Sequence, residues 1–511
     1  MQSIAAVVLE FFEMNVYVSV YGACAHSCYL LSAGAMGRSI MEPHAVLNTH
    51  PVWGSNWDSF LLFQSACIAA ADDAFIHTGY AVRLAGFAFL TPALYAARFE
   101  LENGLKFLFL PDPDTPLFAY QTWFSVGSRH ESVGETGIAH LFEHLMFKGT
   151  ERYPAGTFDK EMERRGAQTN AATFVDWTYY RETLPADEDN FKTVVMFESD
   201  RMVHLSLTQA VIEAEREVVK NERLERVDNS IDGLLDEAVF EVSFLKHGYK
   251  HPTIGLMDDL NRMSHAQLVS FYRKHYAPNQ AVVVIVGRLS LNFVVRTMAQ
   301  YYGPLLRQPV EDCPVIIEPP MDKIRRKVLY EDTESERLTM AFLGPAQTDP
   351  DHIALQIVAE VLCGGETGRL YQALVVEQEF CQEIQASVTP FAEPGLFQVE
   401  VLMKPGVPSV CAENYIVKTL QELADNQMPT EEELMRAKNR IESAFWRGLL
   451  DVDGQAEQIG HYETTTQDAS FVMHLITAVR SMQVAQLVSA IRRYLNPAAY
   501  ASVIVQPKEE N

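Results

Sequence analysis

One set of landmarks occurs twice in this chain at a nearly constant offset, which points to an internal duplication and so to two related folded units. Leu145-Met146-Phe147-Lys148-Gly149 has its counterpart in Val361-Leu362-Cys363-Gly364-Gly365, 216 residues on. A helix opening at Thr208, with acidic residues behind it, is echoed at Thr430, 222 residues on. Tyr272 to Val286, with Pro278 ahead of its strand, is echoed by Ile491 to Val505 with Pro497, 219 residues on. Within the first copy, Leu105 to Leu110 and Ala281 to Val286 read as strands, and Pro111-Asp112-Pro113-Asp114 reads as a turn. Gly137 to Phe147 reads as a helix that stops near Gly149. Mixed strands and helices in each half favour one α+β module used twice. The layout expected is an N-terminal extension of unassigned role over 1–95, a first module over 96–308, a linker over 309–325 rich in proline, and a second module over 326–511.

Charge removes one class of function. The chain has 41 Lys+Arg against 67 Asp+Glu, a net charge of -26, whereas a nucleic-acid protein needs clustered cations for phosphate. The 7 cysteines are odd in number and scattered, so they build no disulfide scaffold. Cys24-Ala25-His26-Ser27-Cys28 resembles half of a metal site, but no second Cys/His cluster lies nearby to complete it. No stretch reaches the roughly 18 consecutive apolar residues of a membrane span, so no transmembrane segment is expected. Met1 to Ala23 carries Glu10 and Glu13 where a secretory signal needs positive charge, and Leu84 to Ala96 looks signal-like but lies too far inside. A cytoplasmic location is expected, with the periplasm as the alternative.

The most informative pentapeptide is His140-Leu141-Phe142-Glu143-His144. On a helix, residues four apart share a face, so both imidazoles can reach one ion, with Glu143 projecting beside them. A zinc ion makes water acidic enough near neutral pH for a neighbouring carboxylate to take its proton. The order H-x-x-E-H is the inverted form of the H-E-x-x-H zinc-protease motif. His130-Glu131, by contrast, lacks the second histidine that H-E-x-x-H requires. A hydrolytic zinc usually takes a third protein ligand. The acidic helix from Glu213 to Glu225 offers Glu215 and Glu222 on one stripe two turns apart, although the same spacing also suits a solvated charged face.

Beyond these residues the chain resembles the pitrilysin/insulinase-type inverzincins, a family that includes mitochondrial processing peptidase and bacterial relatives. The resemblance covers about residues 97 to 507. It rests on Gly137 to Thr150, on Thr169-Asn170-Ala171-Ala172-Thr173 followed by Asp176-Trp177-Thr178-Tyr179-Tyr180, and on Glu215-Arg216-Glu217-Val218-Val219 with Glu222 behind. Gly255 and Tyr276-Ala277-Pro278-Asn279 complete it. The resemblance implies two modules of mainly antiparallel sheet packed with helices, forming half of a clam-shell chamber. It implies one zinc per chain on His140, His144 and Glu222, with Glu143 as general base and Glu215 supporting the ligands from behind. It also implies that Asn170, Ala171, Ala172 and Thr173 form an edge strand that pairs with an extended peptide substrate.

The second copy lacks this chemistry. Gln356, Ala359 and Glu360 stand opposite His140, Glu143 and His144, and Ala444 stands opposite Glu222. Members of the family that work alone carry an Arg and a Tyr seven residues apart in a non-catalytic module, where Val375 and Gln382 stand here. Arg369 and Tyr371 fall at different helix positions. The expectation is therefore a zinc endopeptidase for unfolded peptides, acting as the metal-bearing half of a heterodimer whose paralogous partner supplies the Arg and Tyr. The alternatives are a homodimer, and a non-catalytic scaffold subunit of the same fold.

Overall fold

A computed structural model describes residues 57–91, 94–310 and 315–508. The first module holds strands β1 (Val82–Thr91), β2 (Leu94–Leu101), β3 (Lys106–Pro111), β4 (Leu117–Phe124), β5 (Gln168–Thr173), β6 (Thr178–Pro185) and β7 (Ala281–Gly287). The second holds β8 (Arg325–Glu331), β9 (Arg337–Leu343), β10 (Cys381–Val388), β11 (Leu396–Met403) and β12 (Ala501–Pro507). Among the described residues they form two sheets, ordered β1-β2-β3-β7-β4-β6-β5 and β10-β11-β9-β12-β8. Read from opposite ends, β3-β7-β4-β6-β5 and β8-β12-β9-β11-β10 are the same arrangement. In each, only the first pair is parallel, β3 with β7 and β8 with β12. The duplication read from three short landmarks is thus repeated in strand order and direction.

The helices that position the site are α1 (Trp57–Thr78), α2 (Ile138–Leu145), α3 (Gln209–Arg223), α4 (Ile231–Ser243), α5 (His265–His275) and α6 (Leu291–Tyr302). In the second module they are α7 (Pro350–Cys363), α8 (Glu431–Arg447), α9 (Val452–Thr466) and α10 (Val484–Tyr494). The Thr208 and Thr430 landmarks are the N-caps of α3 and α8, each hydroxyl accepting a backbone N–H from three residues on. The third landmark is α5 leading into β7 and α10 leading into β12.

The expected module boundary at 95/96 falls inside β2. β1 lies inside the segment assigned to the extension, yet it pairs along its length with β2 and extends the first sheet. α1 begins earlier still and packs against α6 and β1, with Cys67, Ala70, Ala71 and Ala74 buried in the first core and Asp73 paired with Arg296 at 2.8 Å. Against the expectation of no segment suited to span a membrane stands one weak candidate among the described residues. Ser59–Thr78 is long and apolar enough to do so by length and composition, although its small residues are spent on the packing just described. The signal-like run Leu84 to Ala96 is the β1–β2 hairpin. Cys24 to Cys28 and Met1 to Ala23 lie outside the described residues.

The two modules exchange a helix. α9, from the second, packs on β4 and β7 of the first, and Leu449, Val452, Ala456 and Ile459 join Leu108, Leu110, Trp123, Tyr179 and Val284 in one core. Its counterpart α4, from the first, packs on β8, β9 and β12 of the second, with Leu235, Ala238 and Val239 against Ala341, Val503 and Val505. Gly460 lets α9 approach closely, since a Cβ there would lie 2.1 Å from the Trp123 indole nitrogen.

Candidate metal centre

α2 presents the H-x-x-E-H side chains from a helix that is otherwise interior. Ile138, Ala139, Leu141, Phe142 and Leu145 are buried, His140 is 8% exposed, and only Glu143 and His144 reach a half-open face. The start of this helix is fixed by two glycines in contact. Gly137, at φ 89, caps it, and a Cβ on Gly255 would lie 2.5 Å from the Gly137 Cα. Arg223, next to Glu222 on α3, donates to the Gly255 carbonyl at 2.7 Å. One junction therefore sets α2 and α3 relative to each other.

The ambiguity over the acidic helix is resolved by its inward stripe. On α3, Ile212, Glu215, Val219 and Arg223 are buried and Glu222 is half-buried, whereas Glu213 and Glu217 are exposed. The two acidic residues at issue lie on the packed face and the others on the solvated one. Glu222 Oε2 is 3.2 Å from His144 Nε2 and 3.8 Å from His140 Nε2, and the three potential ligand atoms lie within 4.8 Å of one another. Two atoms each about 2.1 Å from a tetrahedral ion stand about 3.4 Å apart. The two carboxylate–imidazole distances bracket that value.

The protonation of the site involves the same atoms. Glu215 Oε1 is 3.0 Å from His144 Nδ1, and a carboxylate only accepts, so Nδ1 donates. In neutral His144 the Nε2 lone pair then faces the Glu222 carboxylate, acceptor against acceptor. His140 adds no proton, because burial, then His144 and Arg226, push its pKa down to about 3. Either a proton on His144 Nε2 or a metal cation between these atoms relieves that contact. Burial works to lower the His144 pKa, but Glu215, Glu222 and Glu143 outweigh it and hold it above its ordinary value. Burial raises the Glu215 pKa, and His144 with Lys148 more than offsets this, so Glu215 stays a carboxylate suited to orient His144.

Glu143 sits beside the ligands, at the end of β5. Burial raises its pKa, opposed by the hydroxyl and amide of Thr173 and by His144. β5 is hydrogen-bonded on one side to β6, in a register that sets Asn170 opposite Arg181, Ala171 opposite Tyr180, Ala172 opposite Tyr179 and Thr173 opposite Thr178. It ends the sheet, and its other edge is unpaired among the described residues. The structure thus gathers His140, His144, Glu222, Glu143, Glu215 and Thr173, with Asn170 to Ala172 running outward along the edge.

Two neighbours escaped the sequence reading. Lys148 Nζ lies 2.8 Å from Glu215 Oε2, and Arg226 Nη1 lies 3.1 Å from Glu222 Oε1. Each is four residues beyond a candidate site residue, His144 and Glu222, so helical spacing was the available signal. In the second module the equivalent place holds a Glu360–Arg440 ion pair at 2.5 Å. Arg369 is tied to Glu433 at 2.6 Å, Val375 packs half-buried in the second core, and Gln382 donates to the Met403 carbonyl at 3.0 Å.

A duplicated α+β fold with an inverted H-x-x-E-H helix packed against an acidic helix is a peptidase-family architecture, and comparison with known proteins agrees. Residues 107–255 match the family described as insulinase (peptidase family M16), and residues 262–441 match the M16 inactive domain. The chain belongs to the M16, pitrilysin/insulinase-type family. It is 27% identical over 412 residues to a Helicobacter pylori protein named zinc protease PqqE, covering 80% of this chain and 92% of that one. It is 24% identical to a probable mitochondrial-processing peptidase subunit beta of Arabidopsis thaliana, covering 70% of this chain and 68% of that one. A solved Helicobacter pylori protease superposes with a TM-score of 0.76 at 26% identity, over 81% of this chain and 99% of the other.

Proposed function

We propose that this chain is a zinc-dependent endopeptidase that hydrolyses unfolded peptides in extended conformation. The observation that carries the reading is the convergence of His140, His144 and Glu222 within 4.8 Å, with Glu143 on the same helix face. Zinc bound there would acidify water and polarise the scissile carbonyl. The free edge of β5 is suited to hold the peptide backbone as an added strand, which accepts many sequences because main-chain groups do the binding. Thr173, at the inner end of that edge, lies beside Glu143, so a strand added there brings a peptide carbonyl towards the base. Glu143 takes a proton from the attacking water and returns it to the leaving nitrogen. Its raised pKa makes it a stronger base towards water than an ordinary carboxylate, and the protonated carboxyl remains far more acidic than the ammonium of the leaving amine.

We further infer that the active form is a heterodimer. Val375 and Gln382 occupy the places where the resemblance puts the Arg and Tyr, and the Gln382 side chain is engaged with Met403. A paralogous subunit that carries the pair would supply the cation and hydroxyl that orient substrate.

The test is a peptidase assay on an unstructured peptide, with and without chelator and with and without such a partner. The reading predicts cleavage that chelation abolishes, zinc restores and the partner raises. No zinc-dependent cleavage under any of these conditions would contradict the endopeptidase assignment. Cleavage by the lone chain at a rate the partner leaves unchanged would contradict the heterodimer alone.

A further inference from the structure

We propose that Glu393, on a hairpin tip of the second module, is a positioning residue for the catalytic site of the first. The proposal rests on the peptidase reading and extends it, because it gives the catalytically empty module a part in the chemistry.

The hairpin joins β10 to β11 through Thr389-Pro390-Phe391-Ala392-Glu393-Pro394-Gly395, a turn stiffened by two prolines. It is fastened within itself, Leu396 N–H donating to the Thr389 hydroxyl at 2.8 Å and Phe391 N–H to the Thr389 carbonyl at 2.9 Å. Its tip enters the first module. Phe391 is 1% exposed and meets the rings of Tyr249, Phe174 and Phe240, the first at a centroid distance of 4.5 Å. Around that plug lies a polar cluster in which every member has a partner. The Ala392 amide donates to Asp176 Oδ2 at 2.8 Å, and the Glu393 amide donates to the Tyr249 hydroxyl at 3.0 Å. The Tyr249 hydroxyl donates in turn to Asp176 Oδ1 at 2.9 Å. The Glu393 carboxylate spans Arg129 with one oxygen and His247 Nε2, at 2.7 Å, with the other. Arg129 Nε lies 2.7 Å from Asp176 Oδ1.

Arg129 is what makes this cluster more than an interface. Its backbone N–H donates to the Val175 carbonyl at 2.9 Å, and that of Ser128 donates to the Phe174 carbonyl at 3.2 Å. These hydrogen bonds fix the chain as it leaves β5, directly after Thr173. Two residues beyond Arg129, the Glu131 carboxylate accepts the amides of Gly137 and Ala139, each at 2.9 Å. Those amides open α2, the helix that carries His140, Glu143 and His144. One loop, Gly127 to Glu131, therefore holds the end of the substrate-edge strand and the start of the catalytic helix together. Glu393 is the second module's grip on that loop. If the grip is released, Thr173 and Glu143 lose a shared reference, while the ligand triad, set by α2 and α3 through Gly255 and Arg223, is retained.

The experiment compares Glu393→Gln and Glu393→Asp with the unaltered full chain, together with its partner if activity needs one. Steady-state kinetics are read beside site-resolved hydrogen–deuterium exchange and zinc content. For Glu393→Gln we expect kcat to fall roughly 10- to 100-fold with KM nearly unchanged. Zinc stays at one per chain, and exchange becomes faster in residues 127–139 and 173–177 but not in the second core. Glu393→Asp, which keeps the charge, recovers part of the rate. Unchanged kcat and unchanged local exchange in Glu393→Gln would overturn the proposal. So would faster exchange across the whole chain with a rate loss that follows the fall in Tm, since that marks a merely structural contact. Should the unaltered protein prove to lack peptidase activity, the functional reading falls while the exchange arm still decides whether Glu393 governs the loop.

Discussion

Glu143→Gln is expected to lower kcat by about 10²–10⁴-fold, the range general acid–base catalysis supplies, while the protein still binds zinc. Glutamine keeps the shape of the side chain and can still meet Thr173, but it cannot take a proton from water. The ligand atoms belong to His140, His144 and Glu222, and none of them depends on Glu143 for its orientation. Removing a carboxylate beside the imidazoles also removes one of the charges that hold the His144 proton, so zinc is expected to compete for that nitrogen at least as well as before. The check is kcat on an unstructured peptide beside zinc content by elemental analysis. Turnover near that of the unaltered protein would assign the base to another residue.

The second large effect concerns the fold. Residues 57–308 made without the second module are expected to be insoluble or to lack fixed tertiary structure. The exchanged helices are the reason. Without α9, the sheet face that carries Leu108, Leu110, Trp123, Tyr179 and Val284 is bared to water. α4 in turn loses the sheet that covers Leu235 and Val239. Across the two contacts Leu449, Val452, Ile459, Leu235 and Val239 are buried, at about 1.5–3 kcal/mol each and so about 8–15 kcal/mol together. That rivals the roughly 5–15 kcal/mol net stability of a whole domain. Near-UV circular dichroism and sedimentation of the fragment check this. A soluble fragment with native-like near-UV signals would show that the modules are independent.

The parts of this molecule that were legible in its sequence are those governed by local spacing. The His140/His144 interval places two imidazoles on one helix face whatever surrounds them, and the Thr208 and Thr430 caps mark helix starts by their own hydrogen bonds. The choice of Glu222 was not legible in spacing, because α3 has acidic residues on both faces and only packing against α2 shows which face is inward. The β1–β2 hairpin is hard to recognise for a related reason. Leu84 to Leu90 is nearly continuous in apolar residues, and a strand covered on both sides shows no alternation to distinguish it from a signal-like run. Helix exchange was invisible because an apolar stripe records that a face is buried and not which sheet buries it. The cluster around Glu393 joins residues more than 140 positions apart, such as His247 and Glu393, and no periodicity reports such a pair.

Zinc K-edge X-ray absorption on the full chain tests the central claim most directly, because it reads the ligands without requiring a substrate or a partner. The account predicts one zinc per chain with nitrogen and oxygen neighbours at about 2.0–2.2 Å, two of them imidazoles, and loss of that signal in His140→Ala and Glu222→Ala. A zinc environment that those two substitutions leave unchanged, or no stoichiometric zinc at all, would contradict it.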